Sequence, residues 1–190
     1  KPIGFHTFDV ARNGTQEILT TEARFDVKFL FITAFRYRHQ NTEIWNDGCL
    51  ASIDASTNSN GEELRVSGAL AGNGFDLNSE TGATNLSGCV QTFAYWKPDV
   101  LKASKLLNSQ TGEYEDVSVE FEQFEQLQIG EREFEARRYR LSAESGDIRL
   151  WYASADDTWL ALEAPAKGGR TISYTAVDLP ETSTLLARSE

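Results

Sequence analysis

Apolar and polar residues alternate at every second position along most of this chain, and that period constrains its fold more than any other feature. Between positions 19 and 29 the apolar side chains share one parity, Leu19, Ala23, Phe25, Val27 and Phe29, and Phe31 continues it beyond Leu30. Most polar side chains take the other parity: Thr20, Glu22, Arg24, Asp26 and Lys28. A period of two belongs to a β-strand with one buried face, whereas a helix needs a period of 3.6. The pattern therefore predicts half-buried strands.

Turn signals lie between the alternating runs. Asn13-Gly14 and Asn60-Gly61 are strong hairpin signals, because both residue types tolerate the positive φ of tight turns. Asn46-Asp47-Gly48, Gly72-Asn73-Gly74 and Lys167-Gly168-Gly169 separate further runs. Strands joined by short turns are antiparallel neighbours. The predicted fold class is therefore all-β, an antiparallel up-and-down barrel or a strongly curved sheet.

One segment, residues 98–107, departs from the alternation. Pro98 suits the first turn of a helix, and the apolar residues Val100, Leu101, Ala103, Leu106 and Leu107 recur at helical spacing. Asp99 precedes Lys102, the charge order that the helix dipole favours. This pattern predicts one short helix of about three turns, the span that ten residues cover at 3.6 residues per turn.

The length of 190 residues fits a single β domain. We predict that it occupies residues 1–178. The remainder, residues 179–190, has little to pack and is predicted to be a mobile C-terminal tail.

The two cysteines, Cys49 and Cys89, each follow a glycine at a predicted junction between a turn and a strand. Two cysteines forty positions apart make neither a redox CxxC motif nor a four-ligand zinc site. They are either two buried thiols or one disulfide. A disulfide would indicate an oxidising compartment.

The charge balance restricts the partners. With 29 acidic and 18 basic residues the net charge is −11, which disfavours nucleic acid and anionic membrane surfaces. No run of 18 apolar residues is present, so no transmembrane segment is predicted. The sequence has no Met, which suggests a removed leader or a start outside this sequence, so we expect a periplasmic or secreted protein.

Motifs for catalysis and for metal binding are missing from the sequence. There is no Gly-x-Ser-x-Gly elbow, and His6 and His39 are the only histidines that could serve as a base. His39 and Glu43 share a strand face but would stand about 13 Å apart, too far to share an ion. No catalytic residue, metal or cofactor is predicted. The acids between Glu113 and Glu125 are interpreted as an outward strand face, and a carboxylate-dependent hydrolase is the third hypothesis.

A first group of candidate ligand-binding residues lies on one predicted strand. Arg36 and Arg38 share a face, and His39 lies on the opposite face. Two neighbouring arginines are able to hold a carboxylate or a phosphate. They are equally suited to pair with the acids of an adjacent strand.

A second group flanks the predicted helix. Tyr95 and Trp96 precede it, and Asn108 and Gln110 follow it. Aromatic side chains with a few amides suit the rim of a ligand cavity. Alternatively, the helix plugs one end of a barrel, and the amides bind its last carbonyl groups.

At these residues the sequence resembles an uncharacterised family of exported bacterial proteins, described as a domain of unknown function. The resemblance covers residues 25–32, 37–39, 45–50, 88–90, 93–96, 106–114 and 137–141, which include both cysteines. It implies an all-β, signal-peptide-bearing and periplasmic protein. It implies no activity.

The leading hypothesis is a non-catalytic periplasmic β domain that holds an apolar or amphipathic small molecule, such as a lipid. It rests on the aromatic inner face and on Tyr95 and Trp96 as a lid. The alternative is a protein-interaction or structural domain of the cell envelope, which would use an exposed sheet edge or the acids from Glu113 to Glu125.

Overall fold

The structure, a computed structural model, describes the backbone of residues 3–29, 32–166, 170–178 and 184–189. It describes the side chains of residues 3–26, 35–165 and 171–177. Fourteen strands are present in these parts: β1 (Gly4–Asn13), β2 (Gln16–Phe29), β3 (Ile32–Asn46), β4 (Cys49–Ser59), β5 (Glu62–Ala71), β6 (Gly74–Ser79), β7 (Gly82–Ser87), β8 (Lys105–Leu107), β9 (Tyr114–Ile129), β10 (Arg132–Ala143), β11 (Gly146–Ala153), β12 (Trp159–Ala166), β13 (Arg170–Asp178) and β14 (Thr184–Ser189).

The strands follow one another around a single sheet in the order β7-β6-β5-β4-β3-β2-β1-β14-β13-β12-β11-β10-β9-β8. All ladders between these described strands are antiparallel, and most join consecutive strands through a short turn. Both residues of the Asn60-Gly61 turn have positive φ, 57° and 97°, and so do Asp47 and Gly48, at 49° and 81°. Two successive positive φ values define the turn that matches strand twist. The predicted all-β, antiparallel class is confirmed.

Irregular registers bend the sheet. The pairing shifts at Val27/Lys28 in β2 and at Ile44/Trp45 in β3. Further shifts occur at Arg138/Tyr139 in β10, at Trp151/Tyr152 in β11 and at Ala176/Asp178 in β13. An extra residue in one strand increases the local bend and twist, so these positions help curl the sheet into a barrel-like form.

The two edge strands, β7 and β8, do not pair with each other in the described structure; residues 90–93 span the gap between β4 and β8 instead. The Leu50 amide donates to the Val90 carbonyl at 2.9 Å, and the Leu107 amide donates to the Gln91 carbonyl at 2.8 Å. The Phe93 amide donates back to the Leu107 carbonyl at 3.3 Å. The chain between β7 and β8 therefore closes part of the gap that these two edge strands leave in the sheet.

The same connection fills the interior. Leu106 and Val100 pack into a cluster formed mainly by β1, β2 and β10–β12, whereas Leu107 and Val90 pack into a second cluster formed by β3–β6. Trp96 contacts both clusters. Residues 90–107 thus form an internal plug, which we call the plug segment, and it joins the two halves of the core.

The three-turn helix predicted over residues 98–107 is wrong in type and length. A single 3₁₀ turn spans Pro98–Lys102, and strand β8 begins at Lys105. Leu106 and Leu107 are both fully buried, but they point into different clusters, as neighbours on a strand do. When consecutive apolar residues on a strand pack into two different core clusters, their spacing in the sequence resembles that of a helix.

The C-terminal residues include a strand where the sequence predicts a tail. Thr184–Ser189 form β14, which lies between β1 and β13, with Ser189 opposite both Gly4 and Tyr174. Residues 179–183 and 190 lie outside the described residues. The division into one domain over 1–178 and a tail stays a prediction.

Cys49 and Cys89 form a disulfide, so the choice between two thiols and one bond is resolved. The bond joins the start of β4 to the chain just after β7, with the two Cα atoms 5.1 Å apart. It therefore fixes the point at which the plug segment leaves the sheet, next to the hydrogen bond between Leu50 and Val90.

We predict that replacing both cysteines, Cys49→Ser with Cys89→Ser, lowers the free energy of unfolding by roughly 4 kcal/mol, because the forty-residue loop no longer restricts the unfolded chain. Urea denaturation with and without a reductant measures this difference. The reduced wild type is the control and should match the double variant. Equal midpoints for the oxidised and reduced wild type would contradict the prediction.

Candidate functional site

Aromatic side chains from four strands meet on the inner face of the sheet, near the start of β1. Phe25 pairs with Tyr37 on one side and with Gly4 on the other. Gly4 in turn pairs with Ser189, which pairs with Tyr174, so these residues form one row across the sheet. Gly4 has no side chain, and a Cβ there would stand 2.7 Å from the Phe25 ring and 1.8 Å from the Arg24 carbonyl oxygen. The space left by Gly4 is occupied by that ring, which brings it to the Tyr174 ring, 5.9 Å away between centroids.

The next register row carries both histidines. His6 on β1 pairs with Ala23 on β2, and Ala23 pairs with His39 on β3. Because Ala23 is small and inward, the two imidazoles face the same space from either side of it. We call His6, Phe25, Tyr37, His39 and Tyr174 the inner aromatic cluster.

The rings of the inner aromatic cluster contact one another in sequence. Phe25 stacks on Tyr37 with centroids 5.3 Å apart and planes inclined by 20°. Tyr37 lies 6.4 Å from His39, and Tyr174 lies 5.8 Å from His6. Offset and edge-on arrangements at these distances are the favourable ones for aromatic pairs. The cluster is thus a continuous aromatic wall, in which Tyr37 and Tyr174 are half-buried.

The histidines of the cluster are neutral at pH 7. Burial, followed by the proximity of His39, lowers the pKa of His6 to about 3, and burial lowers the pKa of His39 to about 4. Nδ1 of His39 shares a hydrogen bond of 2.9 Å with the Thr57 hydroxyl. Nε2 of His6 is buried, and no hydrogen-bond partner for it exists within the described part of the chain.

Three phenols surround this space and are also neutral. Burial raises the pKa values of Tyr37, Tyr95 and Tyr174, and the proximity of the Tyr174 phenol raises those of Tyr37 and Tyr95 further. Tyr95 comes from the plug segment, where its carbonyl accepts a hydrogen bond of 2.8 Å from the Tyr152 hydroxyl. Uncharged hydroxyls and imidazoles both donate and accept hydrogen bonds. The arrangement presents polar anchors without net charge.

The arginines predicted as ligand-binding residues lie on the outer face. Arg36 and Arg38 both pair with Asp26 on β2, at 3.4 and 2.8 Å. The Arg38 guanidinium also donates to the carbonyls of Phe25 and Tyr37, at 3.1 and 2.8 Å. The structure thus places both arginines in the cross-strand pairing that the sequence allowed as an alternative. A ligand role for them stays a prediction.

The residues predicted around the helix separate from one another. Trp96 packs edge-on against Trp45, with the Lys97 ammonium group about 5 Å from both rings. Asn108 closes the loop before β9, where its side-chain oxygen accepts from the Gln110 amide at 3.0 Å, and Gln110 itself is exposed. Of the seven predicted residues, Arg38 and His39 both line one groove on β2–β5, whereas Tyr95 lies in the plug segment, 6.2 Å from Trp159 between ring centroids.

His6, Tyr37 and Tyr174 are the members of the site that the sequence did not identify as candidates. The period of two already placed Tyr37 on the face of His39, opposite the arginines. The contribution of Tyr174 depends on β14, which inserts between β1 and β13 and brings residues 4 and 174 into one row. No local pattern contains that information.

A groove of about 390 Å³ crosses the outer face of β2–β5. Two register rows line it: Arg24, Arg38, Asn58 and Glu63, and beside them Glu22, Gln40, Ser56 and Arg65. Arg24 pairs with Glu22 at 2.5 Å, and Glu63 accepts from Asn58 at 3.4 Å. The groove mixes both charges and is therefore a weaker candidate for selective binding.

Several carboxylates outside the inner aromatic cluster have structural partners. Glu43 is fully buried and accepts hydrogen bonds from Asn41, Trp45 and Thr92, at 2.8, 2.9 and 3.1 Å, so it ties β3 to the plug segment. Burial raises its pKa. On β9, Glu120 pairs with Arg140 and Glu122 pairs with Arg138.

The described residues contain no group of three or more His, Cys, Asp or Glu side chains placed to hold a metal ion. Among the helical residues that the structure describes, none form a helix of the length and apolarity that crossing a bilayer requires.

Comparison with known proteins agrees with this architecture. Residues 1–177 match a family described as "Domain of unknown function (DUF6134)". No curated protein matches the chain. A crystal structure of a β-barrel-like protein of domain of unknown function DUF1849, from Brucella abortus, is similar with a TM-score of 0.57 and 9% identity, over 99% of this chain and 96% of that one. At this identity the likeness concerns the fold.

We predict that His6 and His39 make the protein less stable as the pH falls from about 6.5, the unfolded pKa of histidine, towards 4. The unfolded chain binds protons in this range, whereas the folded chain keeps both rings neutral. Each ring contributes at most about 1.4 kcal/mol per pH unit. The variant His6→Phe keeps an aromatic ring and should remove one contribution.

The measurement is the free energy of unfolding by urea at pH 7, 6, 5 and 4.5, for the wild type and for His6→Phe. Glu43 and the other acids titrate in both proteins, so the difference between the two curves isolates His6. Parallel curves over the whole range would show that His6 binds protons equally in the folded and unfolded states, which would contradict the prediction.

Proposed function

This chain belongs to the DUF6134 family, and we propose that it is a non-catalytic β domain that binds a small, uncharged amphipathic molecule at the inner aromatic cluster. The observation that carries the proposal is the buried Nε2 of His6, which lacks a partner among the described residues and belongs to a ring 5.8 Å from that of Tyr174. An unpaired buried polar atom costs about 1–3 kcal/mol, which a ligand hydrogen bond would recover.

The electrostatics define the polar end of the ligand. The imidazoles of His6 and His39 and the phenols of Tyr37, Tyr95 and Tyr174 are all uncharged at neutral pH. A phosphate or carboxylate in this space would lose its hydration without meeting a cation. A hydroxyl, ester or amide group fits, because neutral donors and acceptors satisfy it.

The aromatic wall defines the apolar end. Phe25, Tyr37 and Tyr174 present ring faces and edges beside the polar anchors, and neither tyrosine is completely buried, so part of the wall meets solvent. The plug segment and its two core clusters fill the interior beyond Tyr95. A ligand of one short apolar chain, such as a monoacyl lipid, therefore suits the available wall better than a bulky one.

We further propose that the protein works in the periplasm or is secreted. The disulfide between Cys49 and Cys89 supports an oxidising compartment, because cytosolic thiols are kept reduced. The net charge of −11 does not repel an uncharged ligand, so it is compatible with the proposed one.

We predict that the protein binds monolaurin, a neutral glycerol ester, more tightly than dodecyl phosphate, and that Tyr174→Phe or His6→Phe weakens monolaurin binding about fivefold, the effect of one neutral hydrogen bond. Tryptophan fluorescence, in which Trp159 beside Tyr95 reports on the site, and native mass spectrometry measure the binding below the micellar concentration.

Tyr114→Phe is the matched control, because it removes the same hydroxyl from β9, where the ring contacts Lys105 instead of the cluster. It should leave the affinity unchanged. Tighter binding of dodecyl phosphate, or an equal loss in Tyr114→Phe and Tyr174→Phe, would refute the site. Absence of binding to either compound would refute the proposed function.

A further inference from the structure

The groove of about 390 Å³ on the outer face runs across strands β2–β5. Its floor follows one register row, in which Ala23, His39, Thr57 and Leu64 pair in turn. The side chains of Ala23, His39 and Thr57 are buried on the inner side, so the floor is mainly backbone. Adjacent strands lie about 4.8 Å apart, so the groove is roughly 14 Å long. Its volume lies within the range of small-molecule sites.

An ion pair closes the β2 end of the groove. Arg24 and Glu22 lie on opposite walls, and their side chains meet across the floor at 2.5 Å. Arg38 follows Arg24 along the same wall and binds Asp26, which does not line the groove, at 2.8 Å. The charges of Arg24, Glu22 and Arg38 therefore already have partners.

Two charged side chains stand at the β5 end without an ionic partner. Glu63 and Arg65 lie two positions apart on β5, both exposed and on opposite walls. Glu63 accepts a long hydrogen bond of 3.4 Å from Asn58, and neither side chain forms an ion pair with any residue that the structure describes. A carboxylate and a guanidinium group thus flank this end of the groove and remain available to a ligand.

The walls between the two ends are polar and uncharged. Gln40 and Ser56 lie on the wall of Arg65, and Asn58 lies on the wall of Glu63. Amide and hydroxyl groups both donate and accept hydrogen bonds. The Asn58 side-chain oxygen already accepts from the Gly61 amide at 3.0 Å. The middle of the groove therefore suits a polar group without charge.

We propose that this groove binds a free α-amino acid with a polar, uncharged side chain. The ligand carboxylate pairs with the guanidinium of Arg65, and the ligand ammonium group pairs with the carboxylate of Glu63. Residues two apart on a strand have Cα atoms about 6.6 Å apart, so both side chains are able to reach the charged groups on one α-carbon. The ligand side chain lies along the floor, between Gln40 and Asn58.

The lining excludes other classes of small polar ligand. A phosphate or a dicarboxylate would meet the unpaired carboxylate of Glu63, and a diamine would meet the unpaired guanidinium of Arg65. A zwitterion matches both charges at once, and the net charge of −11 does not repel it. The lining contains no outward-facing aromatic side chain on which a sugar ring or a base could stack. Charge complementarity at the β5 end therefore selects the amino acid.

The test is a titration of the full chain with glutamine, followed by two-dimensional NMR. N-acetylglutamine lacks the ammonium group, glutaminamide lacks the carboxylate, and leucine lacks the polar side chain. We expect glutamine to shift the amide signals of residues 56–58 and 63–65. Each of the other three compounds should bind at least tenfold more weakly, since each loses one of the proposed contacts.

Two variants connect each ligand charge to one residue. Glu63→Gln should weaken glutamine binding at least tenfold and remove the advantage of glutamine over N-acetylglutamine. Arg65→Gln should weaken it equally and remove the advantage over glutaminamide. Glu62→Gln is the matched control, because Glu62 is also exposed on β5 but does not line the groove, and it should bind glutamine as the wild type does.

Several results would overturn the proposal. They are an absence of shifts at residues 56–65 up to the solubility limit of glutamine, equal binding of glutamine and any of the three other compounds, and an equal loss in Glu62→Gln and Glu63→Gln. The groove and the inner aromatic cluster lie on opposite faces of the sheet, so Glu63→Gln and Arg65→Gln should bind monolaurin as the wild type does. The two proposals therefore succeed or fail separately.

Discussion

The packing of the plug segment against both halves of the sheet is the interaction on which the rest of the structure depends. A curved sheet of this size buries its inner face only if something fills the space it encloses. Leu106 and Leu107, neighbours on a three-residue strand, enter different clusters and join them. The buried carboxylate of Glu43 and the disulfide anchor the segment where it enters.

This filling limits the space left for the proposed ligand. Because the plug segment packs into both core clusters, the proposed site lies at the wall formed by β1, β2, β3 and β13. That wall carries neutral side chains, whereas the outer face of the same strands carries ion pairs such as that of Arg38 with Asp26. Side chains alternate along β3, so Tyr37 and His39 lie on the neutral inner face and Arg38 lies on the charged outer face.

The sequence predicts much of this arrangement because strand alternation and turn chemistry are local. Asn60-Gly61 and Asp47-Gly48 fall at hairpins, and Leu19, Ala23 and Phe25 are buried as expected. Val27, Phe29 and Phe31, which extend the same face, have side chains outside the described residues. The sequence allows a plug as an alternative, but the helix predicted within it is wrong, since Leu106 and Leu107 are buried by distant strands. The grouping of His6 with His39 and Tyr174 depends on register and on the insertion of β14, which are non-local.

The nitrogen of His6 that has no partner among the described residues connects stability with the proposed function. Nearly all buried polar groups in folded proteins have partners, and a group without one calls for an explanation such as strain, a bound water or ion, or a functional role. Replacement of His6 by an apolar ring would remove the cost, and the neighbouring Phe8, 4.1 Å away, shows that the environment accepts aromatic carbon. Under the proposed function, an imidazole at this position would destabilise the free protein and would stabilise a complex in which the ligand bonds its nitrogen. The pH dependence of unfolding and the affinity for a neutral lipid therefore both depend on the imidazole of His6.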